Sequence, residues 1–282
     1  MIFISAATSQ LGQHTIKTLL NKGIPASNIV AGIRDPQKAQ SLKDLGLELR
    51  TFDYQQPETL EAALQGVKKF LLISSGSFDN RQQQHLNAIQ AAQKAGVKHI
   101  VYTSILNAGD MALAADHKAT EQHLLDSGLT YTLLRNGWYN ENYAGSIQQV
   151  AQTGALYGSA GAGKISAASR QDFAEAAATV LSTSGHENTT YELGGTESFT
   201  LSELAAEISK QTGKEVTYND LPQAEYQKLL EQVGLPAPLA FVFADSDTGI
   251  SRGELFTERT DLQDLIGRKT TPIAETVALV LG

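Results

Sequence analysis

Short apolar runs and helical segments alternate without a break over the first 135 residues, and no other feature narrows the fold so far. The runs at 2–4, 29–34, 47–52, 70–73, from 100 onward and 131–134 are rich in Ile, Val, Leu, Phe and Tyr, and they have strand length rather than helix length. Each of the first five is followed by a helical stretch, at 15–20, 37–45, 57–64, 82–95 and 116–125, with Gly46, Gly96 and Gly128 as stop signals. This repetition predicts an α/β, Rossmann-type doubly wound parallel sheet with right-handed crossovers and helices on both faces. Beyond Arg135 the pattern loosens. Strand-like pieces at 153–157 and 190–193 flank a helix at 172–181. Thr200 and Glu203 make a capping box for a helix reaching Thr212. A strand at 215–218 and a helix at 223–233 follow. The expected organisation is a Rossmann-type core in 1–135. Residues 136–282 supply remaining core elements and a small C-terminal α/β lobe, with segments interleaved, closing over the sheet's carboxyl edge.

Composition excludes several function classes. The chain has 282 residues and no cysteine, so it has no disulfide and no thiolate metal site or nucleophile, which fits a reducing cytosol. A net charge of −8 without a basic stripe argues against a nucleic-acid groove. No apolar run approaches the ~20 residues of a membrane span, and the N-terminus enters a strand without a charged leader. The expectation is a cytoplasmic protein with a small-molecule partner.

The first strand runs into Ala6-Ala7-Thr8-Ser9-Gln10-Leu11-Gly12 and then a helix. Such a turn aims unpaired backbone N–H groups and a helix dipole at whatever sits above the strand, which makes an anion site suited to a dinucleotide pyrophosphate. Ala6, Ser9 and Gly12 stand where G-x-x-G-x-x-G has its glycines. Ala6 and Ser9 add a Cβ where phosphates approach, and Ser9 also offers a hydroxyl donor. Arg34, at the end of the second strand, suits a ribose 2′-phosphate and favours NADP over NAD. Asp35 beside it is the acid that would suit a free ribose. Ser74, Ser75 and Gly76, just past the fourth strand, leave room for the middle of a cofactor.

The helix after the fifth strand offers His117-Lys118-Ala119-Thr120-Glu121 where short-chain oxidoreductases carry Tyr-x-x-x-Lys. His stands in the Tyr position and Glu in the Lys position, so the usual alcohol-oxidising pair is missing. His117 is a candidate acid or substrate-positioning residue, against a plain helix-surface histidine. Residues 158–164 match G-x-x-x-x-G-K, but Ile165 replaces the required Ser or Thr; the match reads as chance, in a flexible hairpin. The segment Asn136-Gly137-Trp138-Tyr139-Asn140-Glu141-Asn142-Tyr143 sets aromatics and amides directly after a buried strand. That combination suits stacking on a flat ring and hydrogen bonding to carbonyl oxygens. The histidines lack the spacing of H-E-x-x-H, and no G-x-S-x-G elbow is present.

These residues together resemble the NmrA-like group of atypical short-chain dehydrogenases, and within it the bacterial NAD(P)H:quinone oxidoreductases of type 2. The likeness runs nearly end to end. It rests on Ser9-Gln10-Leu11-Gly12, on Ile33-Arg34-Asp35-Pro36-Gln37-Lys38-Ala39, on Leu72-Ile73-Ser74-Ser75 and on Tyr102-Thr103-Ser104. Leu133-Leu134-Arg135-Asn136-Gly137-Trp138-Tyr139 and Leu265-Ile266-Gly267-Arg268 complete it. The resemblance implies an extended Rossmann domain, NADPH as cofactor without metal or flavin, and two-electron reduction of quinones. It places Ala6, Thr8, Ser9, Gln10 and Leu11 on the pyrophosphate and Arg34 on the 2′-phosphate. Ser74, Ser75, Gly76 and Arg170 fall along the cofactor. Gly137 and Asn142, with Trp138, Tyr139 and Asn140, fall beside nicotinamide and quinone. Relatives carry glycine where Ala6 and Ser9 stand. Because the group includes regulators that bind dinucleotide without turning it over, a sensor is the rival expectation. An epimerase or dehydratase is disfavoured by the missing Tyr-x-x-x-Lys.

Overall fold

The computed structural model describes residues 1–77 and 80–282. The chain forms two compact units, each assembled from three stretches. The first holds 1–105, 116–135 and 170–191; the second holds 106–115, 136–169 and 192–282. In chain order the elements are β1 (Ile2–Ile4), α1 (Gln10–Asn21), β2 (Ile29–Ile33), α2 (Gln40–Asp44), β3 (Glu48–Thr51), α3 (Leu60–Ala63), β4 (Lys69–Leu72), α4 (Arg81–Lys94), β5 (His99–Ile105) and α5 (Ala112–Asp126). They continue with β6 (Thr130–Asn136), α6 (Glu141–Thr153), β7 (Ala155–Gly158), α7 (Arg170–Ser182), β8 (Thr189–Leu193) and α8 (Leu201–Thr212). The last are β9 (Thr217–Asp220), α9 (Gln223–Gln232), α10 (Ala237–Ser251), α11 (Asp261–Ile266) and α12 (Ile273–Leu281).

The first unit is built on a sheet of order β3-β2-β1-β4-β5-β6-β8. The strands from β3 to β5 pair in parallel, which gives the expected doubly wound order. Register explains the core. Phe3 lies opposite Val30 and Phe70, and Phe70 opposite Ile100. All four are fully buried and join a cluster with Phe52, Leu60, Leu64, Ala88 and Tyr102. The Phe3 ring meets Phe52 at 5.1 Å and Phe70 edge-on at 5.5 Å. Burying each such ring contributes about 2 kcal/mol. The order reverses between β1 and β4, and a polar stitch holds their ends. Ser5 Oγ donates to Leu71 O at 2.9 Å and accepts from Ile73 N at 2.8 Å. The Tyr54 hydroxyl reaches the Ile73 carbonyl at 2.6 Å. The strand expected at 190–193 is β8, a seventh member of this sheet.

In the second unit β7 and β9 pair in parallel, Ala155 with Thr217 through Gly158 with Asp220. The Thr200–Glu203 capping box closes as expected: the Thr200 hydroxyl accepts from Glu203 N at 3.2 Å, and the Glu203 carboxylate accepts from Thr200 N at 2.7 Å. Residues 158–164 are not a flexible hairpin. Asp247 accepts from Ser159 N at 3.0 Å, Asp220 accepts from Gly161 N at 2.9 Å, and a Cβ on Gly163 would clash with Ile250 O. The stretch is packed against α10, and Lys164 lies 5.6 Å from the centre of the Phe256 ring.

Candidate functional site

At the reversal between β1 and β4, the first turn of the chain leads into the start of α1. Ser9, in extended conformation, caps α1 by accepting from Gly12 N at 3.1 Å. The cap uses a lone pair of the hydroxyl and leaves its proton to donate elsewhere. The N–H groups of Gln10 and Leu11 have no acceptor within the helix, as at any helix start. Gly12 is required by contact: a Cβ there would lie 2.6 Å from Ala6 O and 2.9 Å from Ala7 Cα. Ala6 takes the conformation expected of glycine, with φ of +46°. Its departure from the glycine pattern therefore falls on the backbone, at ~1 kcal/mol. Thr8, half-buried, holds the turn from the other side, its carbonyl accepting from the Gln13 amide at 2.9 Å.

Arg34 is exposed and has no hydrogen-bond or ion-pair partner among the described residues. Asp35 serves its own turn. Its carboxylate accepts from Gln37 N at 2.9 Å and caps the short 3₁₀ turn Pro36–Ala39. A phosphate-ready helix start, a glycine that admits no side chain and a free guanidinium are the donor set that a 2′-phosphorylated dinucleotide requires. The residues present fit NADPH.

Ser74, Ser75 and Gly76 form a loop beyond β4 that side chains hold from below. Ser74 N donates to Thr103 Oγ1 at 2.9 Å, Ser75 N to His85 Nε2 at 2.9 Å, and Ser75 Oγ to Gln84 Oε1 at 2.6 Å. The buried Arg81 donates from Nε to Ser77 O at 3.0 Å. A Cβ on Gly76 would meet no described atom within 4 Å. Arg170, half-buried, opens α7, the helix that packs on α1.

His117 is not a surface histidine. It is 6% exposed and shares a 2.8 Å hydrogen bond through Nδ1 with the fully buried Tyr102 hydroxyl. Burial, with Arg81 and His85 nearby, pulls its pKa down to about 3, so the ring is neutral at physiological pH. In that state it is not an imidazolium acid, and its Nδ1 is engaged with the Tyr102 hydroxyl. Glu121, in the position of the missing lysine, accepts from Ser104 Oγ and from two nitrogens of Arg135. Both halves of the Tyr-x-x-x-Lys pattern are thus absorbed into packing.

The segment after β6 belongs to the second unit. Gly137 N donates to Leu193 O at 2.7 Å, and a Cβ on Gly137 would lie 2.8 Å from Ser166 O, so this glycine serves backbone packing. Trp138 is buried at 9% exposure, and its carbonyl accepts from Ala168 N at 3.1 Å. Tyr139 is half-buried and forms a β-bridge with Ala168. Asn142, half-buried, donates its N–H to Tyr139 O at 3.0 Å. Asn140 is fully buried and donates from its amide to Thr271 O at 3.0 Å. Among the described residues, the buried side-chain polar atoms without a partner are Asn136 Oδ1, Asn140 Oδ1 and Tyr143 OH. All three fall within eight residues. Each unpaired atom costs ~1–3 kcal/mol, and such groups are rare in native folds unless they serve a ligand, a water or chemistry. Sequence reading isolated this segment but singled out neither Asn136 nor Tyr143.

A family model described as NAD(P)H-binding matches residues 6–184. The chain belongs to the NmrA-like family of NAD(P)H-binding reductases. It is 50% identical over 280 residues to quinone oxidoreductase 2 of Escherichia coli, covering 99% of this chain and 98% of that one. The crystal structure of that NADPH-dependent quinone oxidoreductase complexed with NADPH superposes with a TM-score of 0.97, covering 100% of both chains. Another similar structure is the Citrobacter sp. triphenylmethane reductase complexed with NADP(H). It is 40% identical, with a TM-score of 0.94 over 99% of this chain and 100% of that one.

Proposed function

We propose that this chain is an NADPH-dependent oxidoreductase that reduces a quinone-type acceptor by two electrons. NADPH supplies the hydride, and the reduced acceptor takes up a proton. The first unit binds the cofactor. Ala6, Thr8, Ser9, Gln10 and Leu11 present the α1 start to the pyrophosphate, and Arg34 forks onto the 2′-phosphate. Ser74, Ser75, Gly76 and Arg170 line the remainder. The segment from Gly137 to Asn142 is assigned the acceptor and nicotinamide contacts, with Trp138, Tyr139 and Asn140 shaping the acceptor site. The unpaired Asn140 Oδ1 and Tyr143 hydroxyl beside them suit amide and carbonyl groups of flat ligands.

One observation carries the choice of acceptor. The positions that would deliver a proton to an alcohol or ketone are spent: His117 on Tyr102, and Glu121 on Arg135 and Ser104. A quinone is the acceptor class that needs no strong acid, because its reduced form spreads the developing charge over an aromatic ring. The quinone and triphenylmethane reductases among the relatives support the same class.

The test begins with NADPH and NADH titrations followed by nicotinamide fluorescence and calorimetry, then NADPH oxidation with a simple benzoquinone. Tight NADPH binding with turnover is expected, together with a loss of quinone turnover in Tyr139→Phe or Asn140→Ala. Binding without turnover of any quinone would make the chain a dinucleotide sensor.

A further inference from the structure

The loop Ser74–Ser77 is held by groups that no part of the proposed chemistry uses, and His85 is central among them. The ring is fully buried in α4 and stacked edge-on between Tyr54 and Tyr102, at 6.0 and 5.5 Å. Its protonation state follows from its partners. Ser75 N–H can only donate, so Nε2, 2.9 Å away, carries no proton. In a neutral ring Nδ1 then holds the hydrogen and donates to Thr120 Oγ1 at 2.9 Å. Thr120 passes its own proton to Asp116 O at 2.8 Å. A directed chain therefore runs from the backbone of α5 through Thr120 and His85 to the backbone of the loop. Burial and the Arg81 charge keep the ring neutral, with a pKa near 3.

We infer that His85 is a positioning residue for NADPH: its unprotonated Nε2 fixes the Ser75 peptide and so presets the loop on which the cofactor rests. The inference rests on the reading that Ser74, Ser75 and Gly76 line the cofactor. Without the imidazole acceptor, the Ser75 N–H turns toward water, and binding has to reimpose the loop geometry. The loss then appears in cofactor affinity and not in folding alone.

Three variants test this by NADPH binding, measured by nicotinamide fluorescence and calorimetry, with circular dichroism and melting temperature recorded alongside. His85→Phe keeps the ring contacts and removes the acceptor; a dissociation constant raised about tenfold or more is expected, with KM for NADPH rising more than kcat falls. His85→Gln, whose amide oxygen replaces Nε2, restores affinity to within about threefold of the parent. Gly76→Val adds a branched side chain to the loop at a position where a Cβ meets no described atom within 4 Å, and it weakens NADPH if the loop lines the cofactor. Weakening by Gly76→Val with parent-like affinity in a folded His85→Phe overturns the role of His85 alone. Parent-like affinity in Gly76→Val overturns the cofactor assignment of the loop and this inference with it. Should His85→Phe not fold, Thr120→Val, which frees the ring of its orienting acceptor, takes its place, and an unchanged dissociation constant there overturns the proposal.

Discussion

Glu121 receives Arg135 through two parallel hydrogen bonds, Nε to Oε1 at 2.9 Å and Nη2 to Oε2 at 2.6 Å, with Ser104 on the same carboxylate. Removing one member of a pair this enclosed leaves an uncompensated charge. Glu121→Ala and Arg135→Ala should each lower unfolding free energy by about 2–4 kcal/mol. Chemical denaturation checks this, and the double variant should cost less than the sum. His117→Tyr/Glu121→Lys, which writes the short-chain pair back into the chain, sets a lysine against Arg135. It should unfold readily and gain no alcohol oxidation.

Gly12→Ala forces a methyl to 2.6 Å from the Ala6 carbonyl oxygen, in the turn proposed for the pyrophosphate. Binding of NADPH should fall at least about tenfold, with ~1–3 kcal/mol lost in stability. Ala6→Gly should act in the other direction. It relieves the left-handed backbone and should raise stability by up to ~1 kcal/mol without weakening the cofactor.

Arg34 is exposed and makes no hydrogen bond or ion pair with a described residue, so Arg34→Ala should leave the melting temperature nearly unchanged. It should weaken NADPH by roughly ten- to a hundredfold through loss of charge-assisted bonds. NADH affinity should barely move. Calorimetry with both cofactors reads the ratio directly.

Stability should change with pH through groups of opposite sign. His85 and His117 have folded pKa values of about 3 against an ordinary 6.5, chiefly from burial. Between those values the unfolded chain binds more protons, so their contribution is complete above pH 6.5 and is lost as pH falls toward 3. Asp247 is raised to about 7, chiefly by burial, so it favours the fold below pH 4 and loses that contribution as pH rises through 7. Within pH 4–6.5 the two histidines outweigh the one carboxylate, and stability should rise. Asp247→Asn, whose amide oxygen can still accept from Ser159 N, should steepen that rise and abolish the decline just above pH 6.5. Denaturant midpoints at half-unit pH intervals measure both slopes.

The alternation of runs and helices made the main sheet readable, because strand length and period are local properties. The Gly12 contact and the Thr200–Glu203 box were legible for the same reason. The backbone of Ala6 was not, since a residue type signals a side chain and not the φ imposed on it. The helix α10 was missed because Phe, Val, Ser, Asp and Gly mix along it without an amphipathic rhythm; its inward Asp247 serves a backbone N–H on another element. The pattern Arg-Gln-Gln-Gln-His in α4 looks like a solvent face, yet Arg81, Gln84 and His85 point inward to a loop only a few residues upstream. The fate of His117 and Glu121 depends on Tyr102 and Arg135, which come from separate strands. No spacing in the chain reveals those pairings.

The polypeptide changes unit at 105/106, 115/116, 135/136, 169/170 and 191/192. No single cut can release either half, and a truncated product should fail to fold as an independent cassette. For the evolution of such a chain, the threading means that the second unit is revised by altering the excursions after β5, β6 and β8, while the main sheet of the first stays in place. Recombination at one crossover cannot exchange either unit whole; it takes concerted change in several inserts along one gene.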